Sequence, residues 1–230
     1  MDATVLVTGG RGGLGPAVTE AFLADGWRVV TPLRRRPEPT GAGDGLLPEV
    51  VEADLADPAA VERAVAHAAG DPGAPLRAVV NLAGGYAAGP RLHETPPEEF
   101  ERLLALNLRP TFLVTRAALP HLLAAGGGAV VCVSARTALQ PFPGAVAYAT
   151  AKAAVLAFAQ AVAVEYRAKG VRCNAILPSV IDTPANRAGQ PDADHSRWVP
   201  PAQVAAVIRF LAGEESAPTS GAAVPVYGRA

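Results

Sequence analysis

Lysine is nearly absent from this chain: of 20 lysines and arginines, only Lys152 and Lys169 are lysines. Cysteine is as scarce. Cys132 and Cys173 stand alone, each inside an apolar run, which excludes a disulfide-stapled scaffold and fits two buried thiols in a reducing compartment. No charge of one sign dominates either. A formal net charge of −1 gives no electrostatic reason to expect nucleic acid or an anionic membrane as partner. The longest apolar runs are cut by Arg109, Arg116 or glycines before the ~20 residues of a membrane span, so no membrane segment is expected. His67, His93, His121 and His195 show no metal-ligand spacing, so no metal site is expected. A strand pattern starting at Thr4 leaves no room for a signal peptide. The expectation is a cytoplasmic protein.

What is present is apolar and periodic. Half of the 230 residues are apolar and 18% are charged, which suits one globular domain over 1–230. Thr4 to Val7 reads as a strand, followed by Thr8-Gly9-Gly10-Arg11-Gly12-Gly13-Leu14-Gly15 and a helical pattern from Pro16 to Asp25. Strand, glycine turn and helix is the setting in which a dinucleotide pyrophosphate lies on a helix N-terminus. Arg28 to Thr31 reads as the second strand, and Thr31-Pro-Leu-Arg-Arg-Arg36 follows without a carboxylate. NADPH is therefore favoured over NADH. Arg34 is the first candidate for the 2′-phosphate and Arg35 the next, because a guanidinium fork matches phosphate geometry. The Pro- and Gly-rich stretch 37–48 reads as a surface connection.

Val50 to Ala53 reads as a third strand, with Asp57 as N-cap and Pro58 at the first helical position after it. Arg77 to Val80 reads as a fourth strand running into Asn81-Leu-Ala-Gly84. Thr95-Pro-Pro-Glu98 predicts a capping box opening a long helix. Phe100, Leu103, Leu104, Asn107 and Thr111 share one stripe of that helix, which puts Asn107 on the core side. Pro110 should bend the helix near Asn107. Ala129 to Val133, Val171 to Leu177 and Ala222 to Tyr227 read as further strands, with an irregular region from Pro184 to Pro200 and a helix from Pro201 to Ala212. Such alternation predicts an α/β, Rossmann-like, doubly wound parallel sheet of about seven strands with helices on both faces. Thr8, Asn81, Ser134 and Pro178 all follow strands, so one crevice at the strand ends can collect them.

Tyr148 and Lys152 are four residues apart in an apolar segment, so on a helix they project from one face. A free phenol has a pKa of about 10; an ammonium nearby should lower it and make the phenol a usable acid or base. Ser134, at the end of an apolar strand, could hydrogen-bond a substrate oxygen. Lysine at 152, in a chain that otherwise uses arginine, suggests a need for a compact, tunable ammonium. Asn107 stays open between a functional amide and a satisfied core amide.

With these residues placed, the chain resembles the short-chain dehydrogenases/reductases over nearly all of its length. The resemblance implies an active-site tetrad of Asn107, Ser134, Tyr148 and Lys152. Tyr148 would protonate a carbonyl oxygen, Ser134 would hold it, Lys152 would tune Tyr148 and bind the nicotinamide ribose, and Asn107 would anchor a water in a proton relay. It also implies cofactor contacts at Thr8, Gly9, Arg11, Gly13, Leu14 and Gly15, at Asp54 and Leu55 near the adenine, at Asn81, Ala83 and Gly84, and at Pro178, Ile181 and Thr183. Leu82 and Ser179 depart from the family pattern. The run Leu177-Pro178, Asp182 to Pro184, Asn186-Arg187 and Trp198, with Tyr86 after Gly84-Gly85, is similar to quinonoid dihydropteridine reductases. That makes Tyr86 a candidate substrate contact. Arg136, Phe142, Arg187, His195 and Trp198 stay open between substrate contact and loop packing.

Three functions remain open at this level. One is an NADPH-dependent oxidoreductase reducing a small carbonyl compound. The second reduces a quinonoid dihydropteridine or an imine-like heterocycle, and the third is a non-catalytic dinucleotide-binding sensor or scaffold. The family resemblance also implies a homotetramer or homodimer.

Overall fold

A computed structural model describes residues 3–35 and 47–229. Arg36 and most of the connection 37–48 lie outside the described residues. Seven strands, β1 (Thr4–Thr8), β2 (Arg28–Leu33), β3 (Glu49–Glu52), β4 (Leu76–Asn81), β5 (Gly128–Val133), β6 (Val171–Pro178) and β7 (Ala223–Val226), form one sheet in the order β3-β2-β1-β4-β5-β6-β7. Every neighbouring pair is parallel. The helices are α1 (Gly15–Ala24), α2 (Pro58–Ala69), α3 (Pro97–Asn107), α4 (Arg109–Ala124), α5 (Val146–Tyr166), α6 (Pro184–Gly189) and α7 (Pro201–Ala212).

Alternation along each strand splits the core in two. Val5, Val7, Ala78, Val80, Val131 and Ile176 face α1 and α7, packing on Val18, Phe22, Val204 and Ile208. Leu6, Val79, Val130, Cys132, Cys173 and Leu177 face α2, α4 and α5. Each buried Val, Leu or Ile contributes about 1.5–3 kcal/mol, and both faces are covered, as a parallel sheet requires. The thiols of Cys132 and Cys173 sit on neighbouring strands, both buried and free.

Four local expectations need correction or refinement. The capping box at Thr95 does not form: α3 starts at Pro97 with Pro96 as its N-cap. A residue before proline is pushed out of the helical region; Pro96 precedes Pro97 and is extended, at φ −61 and ψ 140. The Thr95 hydroxyl donates instead to the Arg91 carbonyl at 3.1 Å. Pro110 does more than bend the helix. It has no N–H for the Leu106 carbonyl, and the helix is interrupted at Leu108 between α3 and α4. The third concerns Val146–Lys169, which is long and apolar enough by composition to cross a membrane. The interruption of runs by charges did not reveal it, because Lys152 is the one charge in 146–164 and leaves the mean hydropathy high. Half of its apolar stretch is buried, and α5 packs on β5, β6 and α3 as a core helix. The region 184–200 also holds more structure than expected, in α6 and a 3-10 turn at His195–Arg197.

Candidate active site

The chain runs from β1 outward to β3 and then returns to β4 on the other side of β1. The crevice between the carboxyl ends of β1 and β4 is the topological switch point where such sheets bind ligands. Thr8 and Asn81, the last residues of these strands, are register partners. The Thr8 hydroxyl accepts from the amides of Leu82 and Ala83, both at 3.1 Å, and donates to the Val80 carbonyl at 3.4 Å. It thereby ties the start of the glycine turn to the end of β4. Gly9 has φ +68, and a Cβ there would come 3.0 Å from the Ala83 amide nitrogen. A Cβ on Gly13 would come 2.7 Å from Thr183 Cγ2.

Thr183 caps α6, its hydroxyl accepting from the Asn186 amide at 3.2 Å, while the Asn186 side chain donates to the Ile181 carbonyl at 2.8 Å. Ile181 bridges to Val199. The segment after Pro178, the last residue of β6, thus reaches the glycine turn. Leu82 and Ser179, which depart from the family pattern, are both accommodated: Leu82 packs on the α1/α7 core, and the Ser179 hydroxyl donates to the Tyr227 carbonyl at 2.8 Å.

A nicotinamide dinucleotide fits this cradle. Its glycines leave room that side chains would fill, and the Oγ1 of Thr31 and the Oδ1 of Asn81 are buried with no partner among the described residues. Thr31 Oγ1 lies 3.0 Å from where a Cβ on Gly10 would stand. Arg34 is exposed, its side chain 79% so, with its Nε 3.7 Å from Asp54 Oδ2. Asp54 accepts from the Ala56 amide at 3.0 Å. Arg11 and Arg35 are exposed, whereas Leu14 is buried and Leu55 half-buried.

Along the crevice the tetrad residues converge. Ser134, directly after β5 and buried, donates to the Lys152 carbonyl at 2.7 Å. The Lys152 ammonium donates to the Val133 carbonyl at 3.0 Å. Tyr148 lies one turn earlier on α5, its ring centroid 5.9 Å from Lys152 Nζ. Asn107, the last residue of α3, donates to the carbonyls of Leu103 (3.0 Å) and Gly85 (3.1 Å) and accepts from the Gly85 amide at 3.1 Å. Gly84 is the common neighbour: a Cβ there would lie 2.6 Å from Asn107 Oδ1 and 3.4 Å from Lys152 Nζ. Both prior readings of Asn107 therefore have a structural basis, since its amide is satisfied and stands beside the lysine.

The electrostatics correct one expectation. Burial, and next the neighbouring Tyr86, pushes the Tyr148 phenol up to about 12, where the lysine was expected to lower it. Lys152 is turned towards the Val133 carbonyl and is itself pushed down to about 8 by burial. Desolvation disfavours the charged form of each group. At neutral pH Tyr148 therefore keeps its proton and Lys152 is still cationic.

Tyr86 meets Tyr148 edge to face, with ring centroids 5.0 Å apart. The other open candidates have partners in the loops around the crevice or stand exposed. Arg187 is paired with Asp182 (2.8 Å), His195 packs on the buried Trp198, and the Arg136 guanidinium lies over the Tyr227 ring. Phe142 is exposed. Sequence reasoning missed Thr115, whose hydroxyl accepts from Asn81 Nδ2 at 3.0 Å. Its signal was the four-residue spacing Asn107, Thr111, Thr115, all buried. The Val133 and Gly85 backbone contacts had no signal, since any residue supplies them.

A cavity of about 620 Å³ lies at the opposite, amino-terminal ends of the strands, near Trp27, Arg77, Arg172 and Ser220. Two of its arginines hold helix ends: Arg172 donates to the Leu211 and Gly213 carbonyls and Arg77 to the Ala125 carbonyl. None of the tetrad lines it.

Comparison with known proteins shows the family and the fold. The family model described as short chain dehydrogenase matches residues 3–194. The chain is 37% identical to the 2-(R)-hydroxypropyl-CoM dehydrogenase of Xanthobacter autotrophicus, covering 99% of this chain and 98% of that protein. It is 32% identical to the 3-oxoacyl-[acyl-carrier-protein] reductase MabA of Mycobacterium tuberculosis, covering 99% and 92%. A short-chain type dehydrogenase/reductase from Mycobacterium ulcerans superposes with a TM-score of 0.89 at 28% identity, covering 100% of this chain and 90% of that one. These comparisons lend no support to the finer resemblance to dihydropteridine reductases. The chain belongs to the short-chain dehydrogenase/reductase family of NAD(P)-dependent oxidoreductases.

Proposed function

We propose that this enzyme uses NADPH to reduce a small carbonyl compound, with Tyr148 as the general acid. The observation that carries this reading is the convergence of Asn107, Ser134, Tyr148 and Lys152 around Gly84 and the start of α5. Bound NADPH would supply the hydride. Thr8, Gly9, Gly13, Leu14, Gly15, Asn81, Ala83, Pro178, Ile181 and Thr183 would line its bed, with Arg11, Asp54 and Leu55 on the adenosine side. Arg34, and Arg35 beside it, would take the 2′-phosphate: no carboxylate follows β2, and the ion pair of Arg34 at 3.7 Å is loose.

The chain's own groups then move one proton. Tyr148 gives its phenol proton to the oxygen that gains negative charge. Ser134 can direct its hydroxyl from the Lys152 carbonyl to that oxygen, adding a donor where charge develops. Lys152, cationic and within 5.9 Å of the ring centroid, stabilises the phenolate left behind. Asn107, beside Lys152, holds the turn that closes the site. Two relatives, one named a dehydrogenase of a hydroxypropyl compound and one a 3-oxoacyl reductase, support carbonyl and alcohol chemistry. A homotetramer or homodimer would use the outer faces of α4 and α5, where Phe112 and Val164 are exposed.

The test is NADPH and NADH consumption across aldehydes, ketones, 3-oxoacyl thioesters and quinonoid dihydropterin, with Tyr148→Phe as control. Ketone turnover with NADPH that collapses in Tyr148→Phe supports the reading. Turnover of the pterin alone, or preference for NADH, overturns it.

A further inference from the structure

Tyr86 is 62% exposed and yet is held on three sides. Just before it, the Asn107 side chain takes both the amide and the carbonyl of Gly85. Gly85 also sits so close to Leu106 that a Cβ would come 2.6 Å from Leu106 Cδ2. Beyond it, the Gly89 amide donates to the Gly144 carbonyl at 3.1 Å, two residues before α5 begins. Gly144 has φ +83, and a Cβ there would stand 2.3 Å from the Gly89 carbonyl oxygen. Between these anchors the Tyr86 ring meets the Tyr148 ring at 5.0 Å and an interplanar angle of 81°.

The start of α5 needs such an anchor. Ala145, its N-cap, offers no side-chain hydrogen bond, so the first-turn amides have no capping partner of the usual kind. Tyr148 is the third residue of that turn. Without a cap, its orientation depends on what packs against it.

We propose that Tyr86 is a positioning residue for Tyr148: the bracket from Gly85 to Gly89 holds its ring edge-to-face against the Tyr148 ring, fixing the orientation and the shelter of the phenol. This rests on the reading of Tyr148 as general acid. An edge-to-face pair is favoured by the ring quadrupoles, and it leaves the outer face of Tyr86 open to solvent. Removing the ring exposes the Tyr148 hydroxyl to water, which eases its ionisation. Tyr86→Phe keeps the ring and so keeps the shelter.

The experiment labels tyrosine at Cζ with carbon-13 and follows the signals of the full chain by NMR from pH 7 to pH 10.5. The chain has four tyrosines, and Tyr148→Phe identifies the Tyr148 signal. In the wild type and Tyr86→Phe, the Tyr148 signal should stay in its protonated position throughout. In Tyr86→Ala it should begin to titrate, its midpoint moving to at least about tenfold lower hydroxide concentration, with the Tyr166 and Tyr227 signals unmoved. An unchanged Tyr148 signal in Tyr86→Ala overturns the proposal, as does a general shift of Tyr166 and Tyr227 with it. A Tyr86→Phe chain that behaves like Tyr86→Ala overturns the ring contact as the cause. No substrate is needed, so the result stands apart from the turnover panel. On whichever carbonyl substrate that panel identifies, kcat should fall at least about tenfold in Tyr86→Ala and recover in Tyr86→Phe.

Discussion

Ser134 and Lys152 hold each other's backbone neighbourhood in a reciprocal clasp. The serine hydroxyl donates to the Lys152 carbonyl at 2.7 Å, and the lysine ammonium donates to the carbonyl of Val133, the residue before the serine, at 3.0 Å. The end of β5 and the first turns of α5 are thereby fixed in register. Ser134→Ala should lower kcat about 10²–10³-fold, as loss of an oxyanion donor does, and cost about 1 kcal/mol of stability. Steady-state kinetics and urea unfolding check both; full activity would remove Ser134 from the machinery.

Tyr148→Phe keeps the ring, its packing on Tyr86 and the shape of the crevice. Carbonyl reduction should fall by about 10²–10⁴-fold while NADPH binding, read by its fluorescence, stays within a few-fold. Equal loss of both would mean that the phenol binds the cofactor rather than donating a proton.

Arg34→Glu replaces a phosphate partner by a group suited to a ribose hydroxyl. The ratio of kcat/KM for NADPH over NADH should drop by about 10–100-fold, the worth of one charge-assisted pair. An unchanged ratio would pass the selectivity to Arg35 or Arg11.

The buried Lys152 predicts a pH dependence of stability. Its folded pKa of about 8 lies below the ordinary lysine value, so below pH 8 both folded and unfolded states are protonated and the folded state carries the full penalty, ~3 kcal/mol. Between pH 8 and 10.5 the unfolded chain holds more protons, and stability rises with pH. Relative to Lys152→Met, the wild type should gain unfolding free energy from pH 7 to pH 10. Tyr148 acts with the opposite sign: its raised pKa contributes stability present below pH 10 and lost as pH climbs towards 12, so the comparison stops at pH 10. A flat difference would contradict the burial of the ammonium.

Gly84→Ala would place a methyl 2.6 Å from Asn107 Oδ1. Asn107 is pinned by three hydrogen bonds, so it cannot move aside without breaking one. A destabilisation of about 1–3 kcal/mol is expected, together with reduced activity. Thermal unfolding and kinetics on the same preparation check it, and a neutral outcome would show that the turn shifts freely.

The strand periodicity, the glycine turn and the Tyr148–Lys152 spacing were legible because each is a repeat or an interval that survives without knowledge of neighbours. Pro110 announced a bend near Asn107 for the same reason, since a missing N–H is a property of one residue, and the structure turns that bend into a break at Leu108. The capping box failed because two successive prolines compete with the motif, and the second one won. The direction of the Lys152 ammonium was hidden. It depends on the Val133 carbonyl, which β5 brings across from 19 positions away, and no residue type marks a carbonyl. Thr115 was readable by its spacing and overlooked, whereas Tyr86 against Tyr148 requires the loop path that Asn107 and Gly144 set.

The Thr8 hydroxyl, bound by amides 74 and 75 positions later, carries a consequence for the order of assembly. The dinucleotide cradle has no closed form in a nascent chain until the segment through Ala83 has emerged and β4 has docked beside β1. Contacts of such sequence separation form slowly, because loop closure precedes any gain from pairing. The first motif to be synthesised thus waits for a strand end more than seventy residues later, and a chain interrupted before residue 82 carries the glycine signature without the pocket it announces.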